Sequence, residues 1–281
     1  MPFTLSHAAA VLPVSRALSR WHVLSAAVIG CMVPDFDVLL PDDLADFSRW
    51  DTHSLPALLF FCLPVGLAAY WLTQGLIKPA VTEILPAPQR WWMRERHPRA
   101  RMADAGAWLA AAAAILFGAF THLVWDTFTH EGSRGVRMFP LLQDYGPDVG
   151  GHPLRLYRWL QHGSSVVGLV AVLAALWLWW RRVGRVRVDA TAGALSGSGL
   201  SAAERAAWMI AYVAVALVPV VAQTLRFVAE GASFLGSSEP LTALAVLGLR
   251  AAALSLIIVS LLLRLRLRNP RLDGSGSIAQ D

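Results

Sequence analysis

The sequence predicts an all-α polytopic membrane helix bundle, with about five transmembrane helices behind an N-terminal hairpin of two short helices. Three observations carry that expectation. First, 56% of the residues are hydrophobic and only 15% charged, where a soluble domain carries about 25% charged residues; the mean hydropathy is +0.51. Second, apolar runs of membrane-crossing length alternate with short arginine-rich loops. Third, those arginines flank the apolar runs instead of forming one patch, so the net charge of +5 marks topology and argues against a nucleic-acid partner. Cys31 and Cys62, both in apolar surroundings, offer neither a disulfide framework nor a CxxC metal site.

Residues 1–33 read as two short helices. Ser6 can N-cap the first, which runs to about Leu18, and Arg20-Trp21-His22 makes a polar break. The second, residues 23–32, stops at Pro34. Each is ~12 residues, or ~18 Å, too short to cross a ~30 Å hydrocarbon core. A re-entrant hairpin would return His7 to the side of Asp35; a single tilted span is the alternative. Met1-Pro2-Phe3-Thr4 lacks the basic start of a signal peptide, so the N-terminus is expected to be retained.

An acidic loop follows, and the spans are then expected at 55–77, 105–124, 164–180, 206–225 and 241–263. Trp177, Trp179 and Trp180 suit an interfacial aromatic belt at the end of the third. The chain thus divides into a membrane domain (1–180), a basic linker rich in Gly, Ser and Ala (181–205), a C-terminal helix pair (206–265) and a disordered tail (266–281). Loops 78–104, 181–205 and 264–281 hold fifteen Lys/Arg; loops 34–54, 125–162 and 227–239 hold five. The positive-inside rule places the first set in the cytoplasm, as for a multi-pass protein of the bacterial inner membrane, and the alternation holds across all five spans.

The stretch Ala119-Phe120-Thr121-His122-Leu123-Val124-Trp125-Asp126-Thr127-Phe128-Thr129-His130 carries the chemistry. His122, Asp126 and His130 recur every fourth residue, so on a helix each lies ~40° round from the last, one turn further on. One face would present imidazole, carboxylate and imidazole, the mixture a Zn²⁺-like ion accepts. Thr127 and Thr129 are expected to bond the preceding turn. Ionisable groups where an apolar run ends are costly and point to function; the plainer reading is a helix end whose polar groups bond one another.

The topology gathers more donors on the outer side. His53 opens the first span, His162 opens the third, and Asp35 and Asp37 sit in the loop leading to His53. His7 joins them if the hairpin forms. The expected divalent metal set is therefore His7, Asp35, Asp37, His53, His122, Asp126 and His130, with Zn first and Mn or Fe as alternatives. Asp35 after Pro34 can equally be a turn residue, and His53 and His162 can bond backbone at helix starts. His97 is expected in the cytoplasm, and His152, in a Gly-Gly-His-Pro turn, stays outside the set.

Several motifs resemble those of an uncharacterised bacterial integral-membrane family, domain-of-unknown-function family 4184. They are the opening Met-Pro-Phe-Thr-Leu-Ser-His, Pro34-Asp35-Phe36-Asp37, His53-Ser54, the run 121–130 and Leu160-Gln161-His162-Gly163-Ser164. The resemblance extends from residue 1 to beyond 225 and implies a membrane location without an established activity. A looser resemblance is to membrane-bound metal-dependent hydrolases and to zinc-dependent phospholipase C. Their order of an early His, an Asp after Pro, a middle His and then His-x-x-x-Asp is matched by His7, Asp35, His53, His122 and Asp126. Phospholipase C is soluble and has further ligands that this match does not place.

The expected function is a metal-dependent hydrolase acting on a phosphoester of a lipid or envelope metabolite, using a metal-activated water on the extracytoplasmic side. Asp37 or Asp126 would orient the water, and His162 with Arg134 or Arg137 would contact the substrate phosphate. The alternative is a non-enzymatic metal-binding or structural membrane protein, or a transporter; few polar or broken positions at mid-membrane weigh against transport.

Overall fold

The computed structural model describes residues 4–39, 52–95, 104–149, 152–186, 199–230 and 239–268. His97, most of the 181–205 linker and the tail beyond 268 lie outside the described residues. The protein is an all-α polytopic membrane protein. Five helices are long and apolar enough to cross a bilayer: Leu58–Ile84, Ala105–Thr129, Leu156–Gly184, Ala202–Ala229 and Ala243–Arg268. The chain forms two compact units, residues 1–71 with 99–185 and residues 72–98 with 186–281.

In the first unit the N-terminal segment is a 3₁₀ helix, Thr4–Val11, followed by α1 (Ser15–Arg20) and α2 (Leu24–Met32). Ser6 therefore lies buried inside the first helix and not at its start. Pro13, which lacks an N–H, separates this helix from α1. The expected break falls at Trp21-His22, with His22 at φ 57°. α2 loses α-geometry one residue before Pro34, yet the chain continues as a 3₁₀ helix, Val33–Leu39. The hairpin expectation holds: His7 and Asp35 come to the same place.

The π-helical turn Leu58–Cys62 and α3 (Leu63–Leu72) begin the first span. The second span, α6 (Ala105–Thr129), starts under an Asp104 cap whose side chain accepts from the Gly106 N–H. α6 runs five residues beyond the expected end, carrying His122 and Asp126 in its last turns. Thr121 and Thr127 donate their hydroxyls to Gly118 and Val124 carbonyls, at 2.7 and 2.8 Å, so polar side chains do not interrupt the helix. α2 packs along α6 around Ala26, Ala27, Cys31, Ala111, Ala114 and Ile115.

Beyond α6 come a short helix, α7 (Arg134–Met138), a 3₁₀ turn (Pro140–Gln143) and an antiparallel pair, β1 (Tyr145–Val149) and β2 (His152–Arg155). The expected loop here is thus partly ordered, and this hairpin is the one departure from an all-helical chain among the described residues. α8 (Leu156–Gly184) begins eight residues before the expected span. Its far end carries Trp177 and Trp180, both exposed, with Arg181 stacked 4.8 Å over the Trp177 ring.

In the second unit, α4 (Lys78–Ile84) and α5 (Ala87–Glu95) precede α9 (Ala202–Ala229) and α10 (Glu239–Arg268). Ser201 and Glu204 form a capping box at the start of α9. Ala80, Ile84, Leu200 and Leu263 form its core. The Tyr212 hydroxyl meets the Ser260 hydroxyl at 2.8 Å, tying α9 to α10 through a polar contact in an apolar setting.

Candidate metal centre

The end of α6 gathers five of the seven expected donors. His122 Nε2 lies 3.5 Å from Asp35 Oδ1 and 3.2 Å from Asp126 Oδ2. His53 Nε2 lies 3.3 Å from Asp35 Oδ1 and 3.6 Å from Asp126 Oδ2. The four atoms close a ring that alternates imidazole and carboxylate. His7 completes the group: its ring stacks on His122 at 3.8 Å, and its Nε2 is 3.6 Å from Asp126 Oδ1. Adjacent ligand atoms of a tetrahedral ion with ~2.1 Å bonds lie ~3.4 Å apart, so these edges have the dimension of a coordination shell.

Separate elements deliver these groups. The N-terminal 3₁₀ helix brings His7, the 3₁₀ helix after α2 brings Asp35, the approach to the first span brings His53, and α6 brings His122 and Asp126. Their orientation is fixed from behind. His122 Nδ1–H donates to the Cys31 carbonyl at 2.7 Å, which turns Nε2 toward the ring. His53 Nδ1 meets the Thr52 hydroxyl at 3.0 Å. Sequence reasoning did not find these supporting groups. Thr52 carries a usable signal, its place beside His53; a backbone carbonyl such as that of Cys31 has none.

The electrostatics fit a cation. His7 Nε2, Asp35 Oδ2, His122 Nε2 and Asp126 Oδ1 are buried and form no hydrogen bond among the described residues. Asp35 and Asp126 are 1% and 6% exposed, and among the described residues neither pairs with Lys or Arg. Burial first, and then the neighbouring His122, lowers the His7 pKa to about 4, so its ring is neutral and able to ligate near neutral pH. Burial alone would raise Asp35; the His53 hydrogen bond and the charge of His122 outweigh it and hold the carboxyl below its ordinary range. Buried donors without partners are costly in a folded chain; His7, His122 and Asp126 form one group, and Asp35, His53 and His122 another, whose donor atoms lie within 4.8 Å of one another and could hold a metal ion.

Of the remaining expected residues, His130 touches the ring's edge, while Asp37 and His162 do not join it. His130 is the C-cap of α6, in extended conformation, so the four-residue repeat does not continue to it. Its Nδ1 is held by the Asp126 carbonyl at 3.2 Å, 3.6 Å from Asp126 Oδ2, and its bare nitrogen is the other one. Thr129 bonds His130 Nδ1 at 3.2 Å rather than the preceding turn. Asp37 spends Oδ1 on the Val38 N–H, and burial raises its carboxyl above the ordinary range. His162 is exposed on α8 beside the buried Gln161 and does not join the donors. Asp37, His53, Asp126, His130, Arg134 and Arg137 all line one cavity of about 960 Å³.

Fold and site together define a polytopic membrane protein with a buried His/Asp cluster at one end of a membrane-spanning helix. The chain matches the profile of a domain of unknown function, DUF4184, over residues 1–261, and it belongs to that family. No curated protein and no solved structure matches it.

Proposed function

We propose that this protein is a membrane-embedded, metal-dependent hydrolase of phosphoesters, working at the extracytoplasmic face of the bacterial inner membrane. The observation that carries the reading is the set of buried, unpartnered donor atoms on His7, Asp35, His122 and Asp126, closed into a ring with His53. Within this set, His7, His122 and Asp126 or Asp35, His53 and His122 would hold Zn²⁺, with Mn²⁺ or Fe as alternatives. A divalent ion in such a site supplies an activated water near neutral pH and a Lewis acid for a phosphoryl oxygen.

The chain's own groups supply the rest. His53 and Asp126 belong to both ring and cavity, so the donors open onto a space where substrate can sit. A purely structural zinc site is closed, and this opening favours an enzyme. Arg134 and Arg137 line the same cavity and make no ion pair among the described residues; guanidinium forks match phosphate oxygens. Asp37 and His130, also on the wall, are placed to orient water or accept its proton. The order His7, Asp35, His53, His122, Asp126 also supports the likeness to metal-dependent hydrolases. The extracytoplasmic side follows from the arginine asymmetry of the loops.

The test uses bis-p-nitrophenyl phosphate as a soluble probe of the purified full-length protein. Hydrolysis should vanish with chelator, return with Zn²⁺ or Mn²⁺, and fall about 100-fold or more in Asp126→Asn. Equal turnover with and without chelator would refute the proposal.

A further inference from the structure

We infer that the substrate is a membrane-resident amphiphile with a phosphate headgroup, entering sideways from the bilayer along one flank of α6. The inference rests on the hydrolase reading above and names its substrate class. One wall of the cavity beside the donor ring is formed by Leu55, Phe120 and Val124, which are 60%, 50% and 41% exposed. Phe120 and Val124 are one turn apart on a membrane-spanning helix, so their exposed faces meet hydrocarbon. The opposite end is polar: His53, Asp126, Arg134 and Arg137. Asp37 and Glu131 share that polar end. A cavity greasy on the bilayer side, with two guanidinium groups beside the donor ring at its head, matches the two ends of a phospholipid. A soluble phosphoester needs no apolar wall.

A second observation sets the depth. The segment that carries the two arginines goes on to Met138, Phe139, Leu141 and Tyr145, exposed by 74%, 52%, 67% and 62%. None of them belongs to a span. Large apolar side chains clustered on a connecting segment mark a surface that lies on something apolar, and here the bilayer is adjacent. Seated in the interface, these residues hold Arg134 and Arg137 at headgroup level, where basic side chains meet lipid phosphate.

The test places full-length protein in phosphatidylcholine nanodiscs with a phosphatidic acid carrying a diazirine in one acyl chain. A diacylglycerol with the same tail is the headgroup-free control. Phosphatidic acid should label the peptide containing Phe120 and Val124 about tenfold more than the control. Excess glycerol phosphate should not compete; R134A/R137A should abolish the preference and R134K/R137K keep it. Equal labelling by both lipids, or glycerol phosphate competing as well as unlabelled phosphatidic acid, would overturn the inference. Headgroup-dependent labelling without metal or turnover would uphold the lipid site and defeat the hydrolase reading. Turnover of the soluble probe without such labelling would do the reverse.

Discussion

Asp35 and Asp126 are buried among three imidazoles, with no lysine or arginine paired to them among the described residues. An uncompensated buried charge costs several kcal/mol, a cost that the proposed metal ion would offset. The supporting hydrogen bonds matter for the same reason. Thr52→Val should lower metal affinity about tenfold by freeing the His53 ring, while His162→Ala should leave it unchanged; isothermal titration with Zn²⁺ measures both. The His122–Asp126 pair was legible because i and i+4 share a helix face whatever the tertiary structure. The four-residue repeat does not carry on to His130, because the helix stops at Thr129 and the His130 ring turns back on the Asp126 carbonyl. The span carrying His162 begins earlier than expected, at Leu156, which moves it from a helix start to an exposed position within α8.

At the scale of elements, the contact of α2 with α6 decides whether the donors meet. A Cβ at Gly30 would collide with the Ile115 carbonyl oxygen, and one at Gly118 would lie 2.7 Å from the Cys31 nitrogen and against the Ala27 carbonyl oxygen. The two backbones touch, and that contact sets the Cys31 carbonyl against His122. Gly118→Val should therefore lower thermal stability by about 1–3 kcal/mol and reduce metal content with it. Gly75→Val, with nothing near its added Cβ, is the control expected to preserve metal content. The helical segments were readable from apolar length alone. Their ends were not, because apolar length marks the stretch that suits a bilayer and not the polar turns by which a helix such as α6 continues beyond it, as at Thr127, bonded back to Val124.

For the whole molecule, the arginine asymmetry of the loops predicts position 130 outside and position 185 inside. Cys31 and Cys62 are buried, so single cysteines introduced at each site can be probed in the native background. A membrane-impermeant maleimide should label His130→Cys in intact cells and Arg185→Cys only after permeabilisation; labelling of both in intact cells would invert the topology. Five spans were legible because membrane crossing is written in composition. The grouping of residues 72–98 with 186–281 and the hairpin at 145–155 were not, since pairing between distant or short segments leaves no local periodicity.

The most direct measurement is the metal content of detergent-purified protein by elemental analysis, wild type beside His122→Ala and Asp126→Ala, with each variant checked for monodispersity. The wild type should carry stoichiometric Zn²⁺, Mn²⁺ or Fe and both variants should lose it. Full metal content in both folded variants would contradict the account.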